Sequence, residues 1–568
     1  MMKYGAWMGS VAAAAMALAV GSCQQAMQGA GFDAADYETG LHHYVAGQRA
    51  WLERDTAVAA DYYLAALASD PDNAILRQRA FQILVSDGRF AEAMPLAQSL
   101  KPGSAAYGVA RMLLALDALK ARDYDDALTA LDDVAGTGFD SLLRPLTRAW
   151  ALVGAGRVDD GLAALDVLDS MPPLASFGRE HRALILMVAG RWDEAEPMLR
   201  AMVDSRSASV RTIHDYAAHL SQTGDMAAAL AALEPWVEGN PRLATLRADR
   251  DRLRAGKPLE TLVDGPVDAV AEALFRTATE LMRQPTSASA IIYARLATFL
   301  RPQFADALVL IGDMLEMQSR PAAALAAYRA VPANHILAKH ARLRGSLMLD
   351  QLERSDEAIA DLKALLAEDP HFADAEITLA GILRRLERYG DAIVHYDRAI
   401  AMAEAAGEAD WTLFYGRGIS HERLGAWDRA EADFRTALEL NPDEPYVLNY
   451  LGYSLLDRGL KLDEATAMIE RAVAQRPDDG FIVDSLGWAH YLAGRYQQAV
   501  EQLEKAVSLQ PADPTINDHL GDAYWKAGRT LEARFKWRHA LQMEPEPEHA
   551  ARIREKLDLG LTLVERAQ

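Results

Sequence analysis

The sequence predicts an all-α solenoid of stacked helical hairpins. Three observations predict it. Three residue types recur with a period near 34 residues, and no strand-type alternation is sustained anywhere. Hydrophobic residues make up 51% of the chain, enough to pack a core along its whole length. A chain of 568 residues would otherwise read as three or four globular domains, at about 150 residues each. A repeat array removes that arithmetic.

The period is clearest toward the C-terminus. Pro442, Pro477, Pro511 and Pro545 are spaced 35, 34 and 34 residues apart. Gly418, Gly452, Gly487 and Gly521 keep step at 34, 35 and 34, and Ala430, Ala465, Ala499 and Ala533 at 35, 34 and 34. The segment LGWAHYLAGRYQQAVEQLEKAVSLQP (486–511) shows one unit in full. The glycines and alanines let two helices approach closely. Phe434, Ile469, Leu503 and Trp537 are expected to fill the groove between hairpins. Gly494 and Gly528 suit the interhelical turn, where positive φ is needed. The prolines close each second helix and start the next unit.

This order of small and large residues resembles the tetratricopeptide repeat (TPR), a helix–turn–helix unit. The resemblance implies a right-handed superhelix of about fourteen repeats whose first helices line a concave face. Upstream units are weaker but in phase: RYGDAIVHYDRAI (388–400), WDEAEPMLRAM (192–202), YDDALTALDDV (124–134) and DTAVAADYYLAALASDP (55–71) each mark a second helix. Two places break the rhythm. Residues 242–268 contain GKPLETLVDGP and read as a linker or hinge between an N-terminal block (37–241) and a C-terminal block (269–545). Residues 403–410 lengthen one second helix. Residues 546–568 read as a polar amphipathic helix capping the last repeat, because a solenoid end otherwise exposes an apolar face.

The N-terminus reads as an address. Residues 1–22 have Lys3 and then an Ala-rich apolar run of about 15 residues, too short for a comfortable membrane span. Small residues then precede Cys23, the only cysteine, which excludes an intramolecular disulfide or a multi-thiolate metal site. Val20-Gly21-Ser22-Cys23 resembles a bacterial lipobox. The resemblance implies cleavage before Cys23 and its lipidation, with 23–36 as a tether, and Gln24 in place of Asp fits the outer membrane.

Charge and motifs exclude other classes. With 59 Lys plus Arg against 81 Asp plus Glu, the net charge is −22, which opposes nucleic-acid binding and polybasic attachment to anionic lipid. Neither G-x-S-x-G, H-E-x-x-H nor a phosphate-cradling loop is present, so no enzyme is expected and no cofactor is implied. GRGISHERLG (416–425) falls inside a helical repeat. His42-His43 and the pair His335 and His340 lack the partners and spacing of a metal site. Asp125-Asp126 and Asp478-Asp479 sit at helix starts, where the dipole favours them.

The informative constellation is one stripe on the first helices of the last four units. It contains Tyr415, Glu422, Tyr446, Asn449, Tyr453, Asp484, Trp488, Tyr491, Asp518, Asp522 and Trp525. Aromatics supply stiff contact area, Asn can bond an extended backbone, and the acids select neutral or basic partners. The Lys and Arg that a clamp for chaperone C-termini needs are replaced here by acidic or aromatic residues. Residues 448–500 and 519–541, together with Cys23 and VPANHI (331–336), are similar to proteobacterial TPR lipoproteins of about this length. One group of these tethers a periplasmic carboxy-terminal processing protease and its cell-wall hydrolase substrates at the outer membrane. The resemblance implies a protein-binding scaffold of that kind on the periplasmic face. The alternative is an assembly factor for an envelope secretion, pilus or polysaccharide export complex.

Overall fold

A computed structural model describes residues 34–132, 140–171, 174–205, 208–239, 244–282 and 290–561. Cys23, the leader, the greater part of the tether and residues 562–568 lie outside the described residues. Every regular element described is a helix, and the helices run in tandem as antiparallel hairpins. The chain divides into two compact units, Met1–Leu352 and Glu353–Gln568.

In the second unit the hairpins pair Ala373–Arg385 with Tyr389–Ala406, Trp411–Arg423 with Trp427–Leu440, Pro445–Asp457 with Leu462–Gln475, Gly480–Leu492 with Tyr496–Leu509, and Pro514–Lys526 with Thr530–Gln542. Local chemistry sets their ends. Asp479 and Asp513 cap first helices by accepting from Ile482 N and Ile516 N. Pro445 and Pro514 occupy a first helical turn, where no backbone donor is missed. Gly494 and Gly528 turn with φ of 72° and 83°. The helix Tyr389–Ala406 is the lengthened second helix and stops at Gly407, whose φ is 70°.

The small and large residues meet inside each hairpin, not between hairpins as the sequence suggested. A Cβ on Gly452 would lie 2.8 Å from Ile469 Cγ1, and one on Gly487 2.5 Å from Leu503 Cγ. Gly418 faces Phe434 and Gly521 faces Trp537 in the same way. All four large residues are fully buried. The array ends in the helix Pro547–Leu559, which packs on Thr530–Gln542 and buries Ala550 and Ile553.

The first unit opens with six hairpins, from Ala34–Leu52 with Thr56–Ser69 to Val210–Gln222 with Met226–Gly239. Residues 242–268, expected as a linker, carry the helix Ala244–Arg254 and then a strap docked along Val210–Gln222. Leu259 N donates to Ser221 Oγ at 3.0 Å and Leu262 N to Asp215 Oδ1 at 2.5 Å, while Leu259 and Val263 are buried. Its Pro/Gly composition reports a break in repeat order, not a break in packing. The division between compact units falls instead between the helices Ala338–Gln351 and Ser355–Glu368.

After the strap the chain returns. The hairpin of Pro266–Met282 and Ala290–Leu300 lies against Ala74–Asp87, Tyr107–Ala121 and Asp140–Gly154, which are first helices of the opening array. Ala269, Val270, Leu274 and Leu296 share one core with Phe81, Leu116 and Trp150.

Candidate functional site

The first helices of the second unit enclose a cleft of about 430 Å³. Its walls come from Trp411–Arg423, Pro445–Asp457, Gly480–Leu492 and Pro514–Lys526, with residues at or just beyond their ends. Glu422, Asn449, Tyr453 and Asp484 of the expected stripe line it together. Repetition places them so: one helical face points inward in every unit, and Asp410, Asp479 and Asp513 cap three of the four wall helices, while Pro445 opens the other.

Each wall has a definite state. Glu422 accepts from Arg458 Nη2 at 2.8 Å, and the Arg458 guanidinium lies 4.3 Å over the Trp427 ring. Asp457 is exposed and makes no ion pair among the described residues. Burial, reinforced by the Asp484 and Asp457 carboxylates, pushes the Tyr453 phenol up to about 12, so it stays protonated and able to donate. Asn449 Oδ1 is buried and has no hydrogen-bond partner. A buried unpaired acceptor is costly, and a donor supplied to Asn449, which lines the cleft, would relieve that cost. Phe481, 54% exposed, forms an apolar wall the sequence reading did not single out.

The remaining stripe residues are placed differently. Tyr446 is 42% exposed with Arg476 over its ring at 5.5 Å, a surface position that does not line the cleft. Tyr415 packs into an aromatic cluster with Trp411, Phe434 and Tyr450, edge-on to Tyr450 at 5.9 Å. Trp488 stacks on Tyr491 at 4.6 Å and on His519 at 4.1 Å, and Tyr491 is buried. Trp525 rests against Trp537 at 5.4 Å.

Asp518 and Asp522 are buried and engaged from the closing helix. Lys556 Nζ reaches Asp518 at 2.9 Å and Asp522 at 2.7 Å, while His549 Nε2 lies 3.0 Å from Asp518. Trp537 Nε1 also donates to Asp522, at 2.9 Å. Asp484, on the cleft floor, is paired with His519 Nδ1 at 3.0 Å. Burial opposes charge on His519, but Asp484, Asp518 and Asp522 outweigh it and raise its pKa. The acids read as open in the stripe are therefore largely engaged within the chain, Asp518 and Asp522 by Lys556, Asp518 also by His549, and Asp484 by His519. The spacing of Asp518 and Asp522, one turn apart on the last first helix, was the available signal. A helix covering that face must bring a cation.

Among the described residues no group of three or more His, Cys, Asp and Glu side chains is placed to hold a metal ion. No described helix is long and apolar enough to cross a membrane.

Residues 146–210, 349–409 and 415–480 match the family described as tetratricopeptide repeat, and 487–528 match a TPR repeat. These segments are tetratricopeptide repeats. The TPR array is similar to the TPR repeat-containing protein PA4667 of Pseudomonas aeruginosa, 33% identical over 33% of this chain and 31% of the relative. It is also similar to human tetratricopeptide repeat protein 13, 27% identical over 26% of this chain and 16% of the relative. The chain thus spans less than a third of either relative's length. Among solved structures, the APC/C hetero-tetramer Cut9–Hcn1 aligns with 92% of this chain and 96% of that chain at 15% identity and a TM-score of 0.38. MamA from Desulfovibrio magneticus aligns with 30% of this chain and 94% of that chain at 22% identity and a TM-score of 0.28. The matches indicate no catalytic family. TPR repeats form protein-interaction scaffolds.

Proposed function

We propose that this chain is a non-catalytic scaffold that takes an extended, neutral-to-basic protein segment in the cleft of its second unit. The observation that carries the reading is Asn449 Oδ1, an orphaned acceptor in a wall that also offers the protonated Tyr453 phenol, the free Asp457 carboxylate and the Phe481 ring. An extended backbone would supply the missing N–H, an apolar side chain would meet Phe481, and a Lys or Arg would meet Asp457.

The lipobox-like Cys23 and the resemblance to proteobacterial TPR lipoproteins support a place on the periplasmic face of the outer membrane. They also support a role as adaptor for a carboxy-terminal processing protease and its cell-wall hydrolase substrates. Tethering both at one surface would raise their effective concentration without new chemistry.

The test is affinity capture from detergent-solubilised envelope, wild type against Asn449→Leu with Asp457→Asn, with palmitate labelling of the same preparations. Recovery of a protease and hydrolases with wild type, and their loss with the double variant, supports the adaptor. Equal recovery with both forms moves the site out of the cleft. Label that persists in Cys23→Ser contradicts the lipid anchor.

A further inference from the structure

We propose that the opening array of the first unit is a self-liganded groove, its inward face occupied by the chain's own returning hairpin. An open array presents its first helices to a partner. Here those helices receive Pro266–Met282 and Ala290–Leu300 instead.

The contacts have the character of a recognition surface. Phe299 of the hairpin sits against Phe90 with ring centroids 4.8 Å apart. Lys120 of the array donates to Phe299 O at 2.6 Å and lies 4.5 Å over the same ring. Two ion pairs cross the contact in opposite senses. Glu180 of the array, buried and bonded to Ser209 Oγ at 2.6 Å, takes the Arg276 guanidinium of the hairpin, which lies 3.9 Å over Phe177. Glu272 of the hairpin, also buried, takes Arg211 Nη2 of the array at 2.6 Å, and Arg301 at 2.9 Å.

The crossed signs set one register. A shift along the groove would leave Glu180 a buried carboxylate without its arginine and would part Glu272 from Arg211, leaving it only the hairpin's own Arg301, and breaking a buried pair is strongly destabilising. Buried Ala269, Ala271, Ala273 and Ala278 let the helix approach closely. The strap keeps the hairpin at high local concentration, because its docking on Val210–Gln222 fixes where the hairpin begins. The ligand class is thus defined by example: an amphipathic helical hairpin bearing arginine and the phenylalanine anchors Phe275 and Phe299. A free partner of this kind would have to displace a tethered one, so partners are directed to the cleft of the second unit.

Two measurements on the full-length chain test this. A benzophenone amino acid in place of Phe299 is expected to crosslink within one chain, onto the segments carrying Phe90 or Lys120. Adducts to other proteins only, or to none of these segments, overturn the proposal. Arg276→Ala is expected to speed tryptic cleavage after Arg254, at the head of the strap, by about tenfold or more, while Arg276→Lys retains most of the protection. Cleavage at the wild-type rate in Arg276→Ala, or equal loss in both variants, overturns the ionic latch. The crosslink remains decisive where a variant folds poorly.

Discussion

Lys556 stands between Asp518 and Asp522, 2.9 Å from one carboxylate and 2.7 Å from the other. The lysine comes from the closing helix and the carboxylates from the last first helix, so one side chain secures the end of the array. Burial disfavours the ammonium, yet the two acids raise its pKa. Lys556→Met removes the counter-charge and leaves two acids one turn apart in a dry site. The expected loss is about 3–5 kcal/mol in denaturant unfolding. Because the acids can then bind protons, the deficit should shrink as pH falls toward 5, which a pH series of midpoints checks.

Asp215 makes the first unit sensitive to pH. Burial pushes its carboxyl up to about 7 from 3.8, against the Leu262 N–H that favours the charged form. An acid whose folded pKa is raised binds more protons folded than unfolded between the two values. Stability from this group is therefore full below about 4 and is lost as pH rises to about 7. Asp215→Asn keeps an oxygen for Leu262 N and cannot ionise. The variant should lose that slope and exceed wild type above pH 7 by an amount on the order of a few kcal/mol. Thermal melts of both forms from pH 4 to 8 measure it.

Gly487 tests the packing rule of the repeats. A Cβ there would sit 2.5 Å from Leu503 Cγ and 3.3 Å from Leu503 N, so neither backbone nor side chain can give way cheaply. Gly487→Leu should cost about 1–3 kcal/mol or more through overpacking, seen as a lower Tm. Gly390 has open space where its Cβ would go. Gly390→Ala should leave Tm unchanged or raise it, since alanine favours helix.

The hairpins and the cleft were legible because both follow the repeat period. Gly452, Gly487, Ala465 and Ala499 mark where helices touch, and a 3.6-residue stripe brings Glu422, Asn449, Tyr453 and Asp484 to one wall. Contacts outside the period were not legible. Lys120 and Phe299 are 179 residues apart, and nothing periodic links them. The strap at 257–264 lacks repeat residues, so its docking through Ser221 and Asp215 left no pattern. Asp518 and Asp522 carry the stripe's spacing, but Lys556 arrives from a helix beyond the last repeat. Trp488 was read as a contact residue, and its two ring stacks on Tyr491 and His519 make it a packing residue as well.

The cleft makes the sharpest prediction for binding, and the choice of variants follows from what each residue touches. Trp488→Ala would unstack His519 and disturb the buried Asp484 pair, so lost binding there would be ambiguous. Asn449 and Asp457 avoid this, since Asn449 Oδ1 has no partner to lose and Asp457 is exposed. Asn449→Leu should leave Tm within about 0.5 kcal/mol of wild type in equivalent stability, because an orphaned acceptor is removed. It should weaken an extended peptide by about tenfold, the worth of one buried hydrogen bond to backbone. Asp457→Asn should weaken only peptides carrying Lys or Arg and reduce the salt dependence of their binding. Calorimetric titration of one peptide in basic and neutral versions against the three forms separates these effects. Equal affinities throughout would mean that partners reach a different face of the array.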